Sequence, residues 1–194
     1  MQRYFCQPRS SIGGEISVPG DKSVSHRSLM LGGIAEGNTE VRGFLESEDC
    51  LATLAVLRSL GVNIGRFGGN RVTIHGVGPE GFKAPSGTLD MGNAGTAMRL
   101  FMGLLAPQKF DTTLVGDSSL MKRPMERVAV PLRLMNASIT TQKGLPPVEI
   151  RGGQTLHAID YDLPVASAQV KSAIMLAALR AEGRTRVVEP APTR

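Results

Sequence analysis

The chain has 194 residues with a formal charge of +5, 41% hydrophobic and 20% charged residues, a balance that excludes a disordered tail and suits one domain or one domain plus part of another. Aromatics make up only 4% and Trp is absent, which argues against base-stacking platforms for single-stranded nucleic acid. Cys6 and Cys50 are too few and too far apart for a disulfide framework or a zinc knuckle.

The first thirty residues carry Arg3, Arg9, Glu15, Asp21 and Lys22 and no apolar stretch, so a secretory signal is not read there. No apolar run approaches the ~18 residues of a membrane span, and a cytoplasmic, monomeric protein is the expectation. A helix starting at Ser23 is predicted to run to Ala35, followed by a short strand through Thr39 and Val41. Asp49–Leu60 repeats Leu51, Leu54, Leu57 and Leu60 at helical spacing and stops at Gly61. A hairpin of Val62–Arg66 with Arg71–Gly76 turns at Gly68, Gly69 and Asn70. The plan then recurs. Arg99–Ala106 reads as helix and Thr113–Val115 as strand, a helix opens at Pro124, and Ser138–Thr141 pairs with Val148–Gly152. A third helix, Lys171–Glu182, leads to a strand at Thr185–Val187. The threonines Thr39, Thr113 and Thr185 lie 74 and 72 positions apart. The result is an α/β chain of repeats of ~73 residues, with the third unit stopping at Arg194.

The first helix of each unit opens on small or polar residues and carries a cation about one turn in. These starts are Pro19–Arg27, with Lys22, Ser23 and Arg27; Gly92–Arg99, with Asn93, Gly95 and Thr96; and Ala166–Ser172, with Ser167, Ala168, Gln169 and Lys171. A helix N-terminus presents unpaired N–H groups and the positive end of its dipole, which attract anions. Gly20 and Gly95 would let a ligand approach the backbone, and Ser23, Thr96 and Ser167 would either cap a helix or bind a ligand oxygen. Lys22, Arg27, Arg99, Lys122, Arg123, Lys171 and Arg194 are the cations at these places or at the chain end. Setting those seven aside leaves 15 basic residues against 17 acids, which favours a concentrated anion site over a nucleic-acid surface. Lys22 follows Gly20 with Asp21 between them, so the P-loop spacing fails. His26, His75 and His157 show no metal-ligand spacing. Asp49, Asp90 and Asp117 are read as cap or turn residues, and Met30, Met102 and Met175 as core.

The motifs Pro19–Arg27, Gly92–Arg99, Lys122–Met125 and Ser167–Gln169 resemble those of 5-enolpyruvylshikimate-3-phosphate synthases, across almost the whole chain and in the family's order. Members are about twice this length. The resemblance implies an enolpyruvyl transferase moving that group from phosphoenolpyruvate to the 5-hydroxyl of shikimate 3-phosphate, with no metal or cofactor. It implies an inverse α/β barrel of βαβαββ units around a pseudo-threefold axis, here truncated in the third unit. Residues 1–18 would pack with a C-terminal domain of the same protein, and 19–194 would form the substrate-binding domain. By motif, Lys22, Ser23, Arg27, Ser167, Ala168, Gln169 and Arg194 would hold shikimate 3-phosphate. Lys22, Asn93, Gly95, Thr96, Arg123 and Gln169 would hold phosphoenolpyruvate, and Lys22 is the candidate catalytic proton donor.

Ala168 and Leu100 depart from the Ser and Pro common at these places, as in a divergent bacterial subgroup, while Gly95 is the residue of glyphosate-sensitive members. Sensitivity in the full-length enzyme is the expectation, with little turnover by this chain alone. UDP-N-acetylglucosamine enolpyruvyl transferases share fold and donor, but the motifs at Lys22–Arg27 and Asn93–Arg99 argue against them. A non-catalytic anion-binding domain is the reading from another functional class.

Overall fold

Helix α1 (Lys22–Ile34) begins where Asp21, in an extended conformation, accepts a hydrogen bond from Val24 N at 2.8 Å. Its inner face, with His26, Leu29, Met30 and Gly33, is buried. Strand β1 (Glu36–Arg42) follows, then α2 (Glu48–Ser59), which Ser47 caps with Glu48 and Asp49 in the first turn. Strands β2 (Asn63–Phe67) and β3 (Arg71–Val77) form the hairpin, its turn holding Asn70 at φ 56°. The sheet order is β1-β3-β2, all antiparallel, with Ile64, Val72 and Ile74 turned into the core.

The second set is preceded by β4 (Leu89–Asp90) and consists of α3 (Gly95–Leu105), β5 (Thr112–Val115), α4 (Glu126–Leu134), β6 (Ser138–Gln142) and β7 (Leu145–Arg151). Its sheet runs β4-β5-β7-β6, with β4 parallel to β5 and the other pairs antiparallel. The β6–β7 turn is Lys143–Gly144, both at positive φ, the geometry that matches hairpin twist. Then come β8 (Asp160–Asp162), α5 (Ala168–Ala178) and β9 (Arg186–Val188), with β8 parallel to β9. This computed structural model describes residues 4–193.

Helix α3 is apolar on almost every face and is the centre of the core. Ala97 to Leu105 are all buried, and α3 packs against α5, α4 and α2. Between α1 and α5 lies an apolar groove lined by Met30, Leu31, Met175, Leu176 and Leu179. Leu31, Met175 and Leu179 are exposed there. Residues 4–19 carry no helix or strand and are exposed, including Tyr4, Phe5, Ile12, Ile16 and Val18.

Several local expectations are corrected. α1 starts at Lys22 and not Ser23, because Asp21 is the capping residue. α4 starts at Glu126 and not Pro124, because Leu120–Lys122 forms a separate 3-10 turn and Arg123 is extended. Strand β9 begins one residue after Thr185, whose hydroxyl accepts from Ile159 N at 3.4 Å. Strands β4 and β8, of two and three residues, are too short for any periodicity to reveal.

Candidate functional site

The start of α3 lacks a cap, since Ala94 occupies that position and makes no side-chain hydrogen bond. Cations gather around it instead. Arg99, one turn in, is 6% exposed. Its Nη1 donates to Gln169 Oε1 at 2.8 Å and its Nη2 to Pro124 O at 3.0 Å, while Nε is buried without a partner. Arg123 reaches in from the 3-10 turn, donating to Asn93 O at 3.2 Å, to Asn93 Oδ1 and to Ser119 Oγ at 3.3 Å. A Cβ on Gly95 would sit 3.0 Å from Arg123 Nη1 and 3.3 Å from Arg99 Nη1, so both guanidinium groups line the backbone at that glycine. Burial, with Arg127 and Arg123 nearby, pushes Arg99 down to about 10, leaving it charged at neutral pH.

Gln169 bridges helices. Its Nε2 donates to Thr96 Oγ1 at 2.9 Å, and its Oε1 accepts from Arg99 and also from Arg127 Nη2 at 3.2 Å. Asn93 is held as firmly, because its Nδ2 donates to Asp117 Oδ2 at 2.7 Å while its Oδ1 faces Arg123. That bond, with the Leu120 and Ser119 amides, keeps the Asp117 carboxyl below its ordinary range.

At α1, Arg27 donates to Ser172 Oγ of α5 at 2.7 Å and to Ser23 O at 3.2 Å. Lys22 is ion-paired with Asp49 in the first turn of α2. Behind this pair His26 is fully buried, its Nδ1 2.7 Å from Thr53 Oγ1. Because Thr53 Oγ1 donates to Asp49 O at 3.2 Å, His26 must donate from Nδ1, which leaves Nε2 an acceptor without a partner. Burial pushes His26 down to about 4, opposed by Asp49 and reinforced by Lys22 and Arg27.

Asn93, Gly95, Thr96, Arg123 and Gln169 are therefore brought together around α3. Arg27 reaches the same bundle through α5, whereas Lys22 is held by Asp49. Ser167 caps α5, accepting from Val170 N at 3.4 Å, and Ala168 is that helix's first residue. Arg194 lies outside the described residues. Ser23 and Thr96 are not caps: Ser23 is exposed and Thr96 receives Gln169. Gly20 serves packing and not ligand approach, since a Cβ there would lie 1.8 Å from Gly43 O. Lys171 is withdrawn from the expected anion cluster, because Glu189 Oε2 is 2.5 Å from its Nζ. Asp49 is no cap, its carboxylate facing Lys22 while Ser47 does the capping. Asp117 and Asp90 are turn residues as read, accepting from Leu120 N at 2.7 Å and Gly92 N at 2.8 Å.

Arg127 is the site residue that the sequence reading missed. It stands in the first turn of α4, four positions after Arg123, and a lone arginine there gives a weak signal on a helix whose other face is core. Among the described residues, Arg27, Arg99, Arg123 and Arg127 form no ion pair with a carboxylate. No group of His, Cys, Asp and Glu there could hold a metal ion, and no helix is long and apolar enough to cross a membrane.

Residues 6–194 match the family EPSP synthase (3-phosphoshikimate 1-carboxyvinyltransferase). A 3-phosphoshikimate 1-carboxyvinyltransferase of Methylococcus capsulatus is 60% identical over 98% of this chain and 44% of its own length. One from Alkalilimnicola ehrlichii is 58% identical over 98% of this chain and 43% of its own. The solved structure of EPSP synthase from Acinetobacter baumannii superposes with a TM-score of 0.90 at 63% identity, covering 93% of this chain and 41% of that one. The chain thus spans less than half the length of the curated relatives it matches. Agreement this close in both sequence and backbone reflects common descent, and the chain belongs to the EPSP synthase family.

Proposed function

We propose that this chain is the shikimate 3-phosphate-binding part of an enzyme that transfers the enolpyruvyl group of phosphoenolpyruvate to the 5-hydroxyl of that substrate. The observation that carries this reading is the set of guanidinium groups without carboxylate partners at the starts of α3 and α5. Arg99 is buried there at a desolvation cost that a bound anion would offset. Both proposed substrates are anions. Arg27, Ser23, Lys22, Ser167, the backbone at Ala168, and Gln169 would hold shikimate 3-phosphate, joined by Arg194. Arg123, Asn93, Gly95, Thr96, Gln169 and Lys22 would hold phosphoenolpyruvate.

In the proposed reaction the substrate hydroxyl gives its proton to a base supplied by the second domain and attacks C2 of phosphoenolpyruvate, while a proton is added to C3. The tetrahedral intermediate then gives one proton of its C3 methyl group to a base and expels phosphate, restoring the vinyl ether. Lys22 is the proton donor proposed within this chain, and it must leave Asp49 to reach the anions. Asn93, spanned between Asp117 and Arg123, would act by aiming Arg123.

The architecture we propose is a pseudo-threefold barrel of βαβαββ units, the third of them unfinished. Its remainder would cover the groove between α1 and α5. Residues 1–18 would lie against a second domain, which would bury Ile12, Ile16 and Val18, and 19–194 would be the substrate domain. Turnover by this chain alone is expected to be negligible, and glyphosate is expected to compete with phosphoenolpyruvate once the second domain is supplied.

Calorimetric titration of the chain with shikimate 3-phosphate, repeated with Arg27→Ala, tests the reading. Saturable binding that the variant loses is the expected result. A folded chain that takes up no heat with this ligand would overturn the claim of a preformed half-site.

A further inference from the structure

The amide of Gln169 has four hydrogen-bonding positions, and three of them are occupied. Oε1 has two lone pairs, one facing Arg99 of α3 at 2.8 Å and the other facing Arg127 of α4 at 3.2 Å. Nε2 has two N–H groups, and one is given to Thr96 Oγ1 at 2.9 Å. Two guanidinium groups can only donate, so the amide cannot turn over without setting its NH2 against two donors. The second N–H of Nε2 has no partner among the described hydrogen bonds. The amide's neighbour Arg99 also borders Gly95 beside Arg123, the rest of the cluster at the start of α3.

We propose that Arg127 is a positioning residue which, with Arg99, fixes the Gln169 amide so that its free N–H is presented only to an acceptor such as a phosphate or carboxylate oxygen. This rests on the reading above of that cluster as the substrate-anion site. Arg127 touches Gln169 and not the reacting atoms, and it acts by denying the amide its other orientation. The two arginines have separate parts. Arg99 is buried and also donates to Pro124 O, so changing it alters more than the Gln169 amide. Arg127 is exposed, and its described hydrogen bond goes to Gln169 alone, so it can be changed while the core stays intact. The arrangement also joins α3, α4 and α5 at one atom, coupling the anion site to the packing of the first and second helices of successive units.

The experiment uses this chain with Arg127→Glu, Arg127→Lys and the charge control Lys109→Glu, which lies past the C-terminal end of α3 and is paired with Glu80. The first readout needs no ligand. The side-chain amide pair of Gln169 is identified in a 15N spectrum by its loss in Gln169→Leu, and its nuclear Overhauser contact to the Thr96 methyl is followed. The contact is expected to survive in Arg127→Lys and Lys109→Glu and to vanish in Arg127→Glu, whose carboxylate draws Nε2 away from Thr96. The second readout is affinity for shikimate 3-phosphate, expected to fall about tenfold or more in Arg127→Glu and less than threefold in Lys109→Glu. Persistence of the Thr96 contact in Arg127→Glu would overturn the proposal, as would equal losses of affinity in Arg127→Glu and Lys109→Glu. If the parent chain binds no shikimate 3-phosphate, the functional reading fails, and the amide contact still decides the role of Arg127.

Discussion

The starts of α1 and α3 look alike in sequence and differ in how their charges are settled. At α1, Asp21 caps the backbone and Asp49 neutralises Lys22. At α3 there is no side-chain cap, and Arg99, Arg123 and Arg127 gather at Gly95 and Gln169 with amide, carbonyl and hydroxyl oxygens as their acceptors. At the first start the backbone and Lys22 are satisfied within the chain, and Arg27 alone has no carboxylate in ion-pair contact. The second keeps guanidinium groups with no carboxylate in direct ion-pair contact, which is the arrangement a site for a mobile anion requires.

Replacing the central buried cation should produce the largest split between binding and stability. Arg99→Met removes a desolvated charge that has no carboxylate partner, so the gain in burial offsets the lost hydrogen bonds to Gln169 and Pro124 O. The ligand-free chain is expected to stay within ~1 kcal/mol of the parent in urea melts. Affinity for phosphoenolpyruvate or shikimate 3-phosphate should fall by ~2–3 kcal/mol, the usual worth of a hydrogen bond to a charged group. A stability loss as large as the affinity loss would mean that Arg99 is a structural cation and that the two helix starts do not differ in kind.

Acid should expose the closed character of the α1 start. His26 titrates at about 4 in the fold against an ordinary 6.5, because its protonated ring would place an unpartnered N–H in the core. The unfolded chain binds the proton first, so the stability held above pH 6.5 is lost as pH falls toward 4, by roughly 3 kcal/mol. Urea melts at pH 7, 5.5 and 4 check this, and His26→Asn should flatten that slope. An equal slope in the variant would assign the acid sensitivity to the carboxylates instead.

The repeated helices and both hairpins were legible because their signals are local. Leucines recur at helical spacing before Gly61, and glycine and asparagine mark the first turn. The site was legible as a set of helix starts, but the partner of each cation was not. Lys171 faces Glu189, Gly20 faces the Gly43 carbonyl, and Arg127 meets Gln169, each a tertiary contact set by packing and separated by 18 to 42 positions. The sequence leaves the cap of α1 open for a nearer reason. Asp21 and Ser23 are both good capping residues, and only the backbone geometry at Asp21 decides between them.

The smaller effects sharpen the same contrast at α1. Asp21→Ala should cost about 1 kcal/mol, as loss of an N-cap does, with no counterpart at Ala94 because α3 has no such bond to lose. Asp49→Asn should change stability by less than ~1 kcal/mol, since Lys22 is half exposed and water screens the pair. Its effect on binding has the opposite sign to a simple loss. In the parent chain an anion must compete with Asp49 for Lys22, so releasing Lys22 should tighten shikimate 3-phosphate binding several-fold. The same change removes the group that holds His26 up, so the His26 titration, followed by NMR of the ring, should move further below 4. If affinity falls instead while the His26 shift appears as expected, Asp49 aims Lys22 at the ligand, and the α1 start belongs with the α3 start as a preorganised anion site.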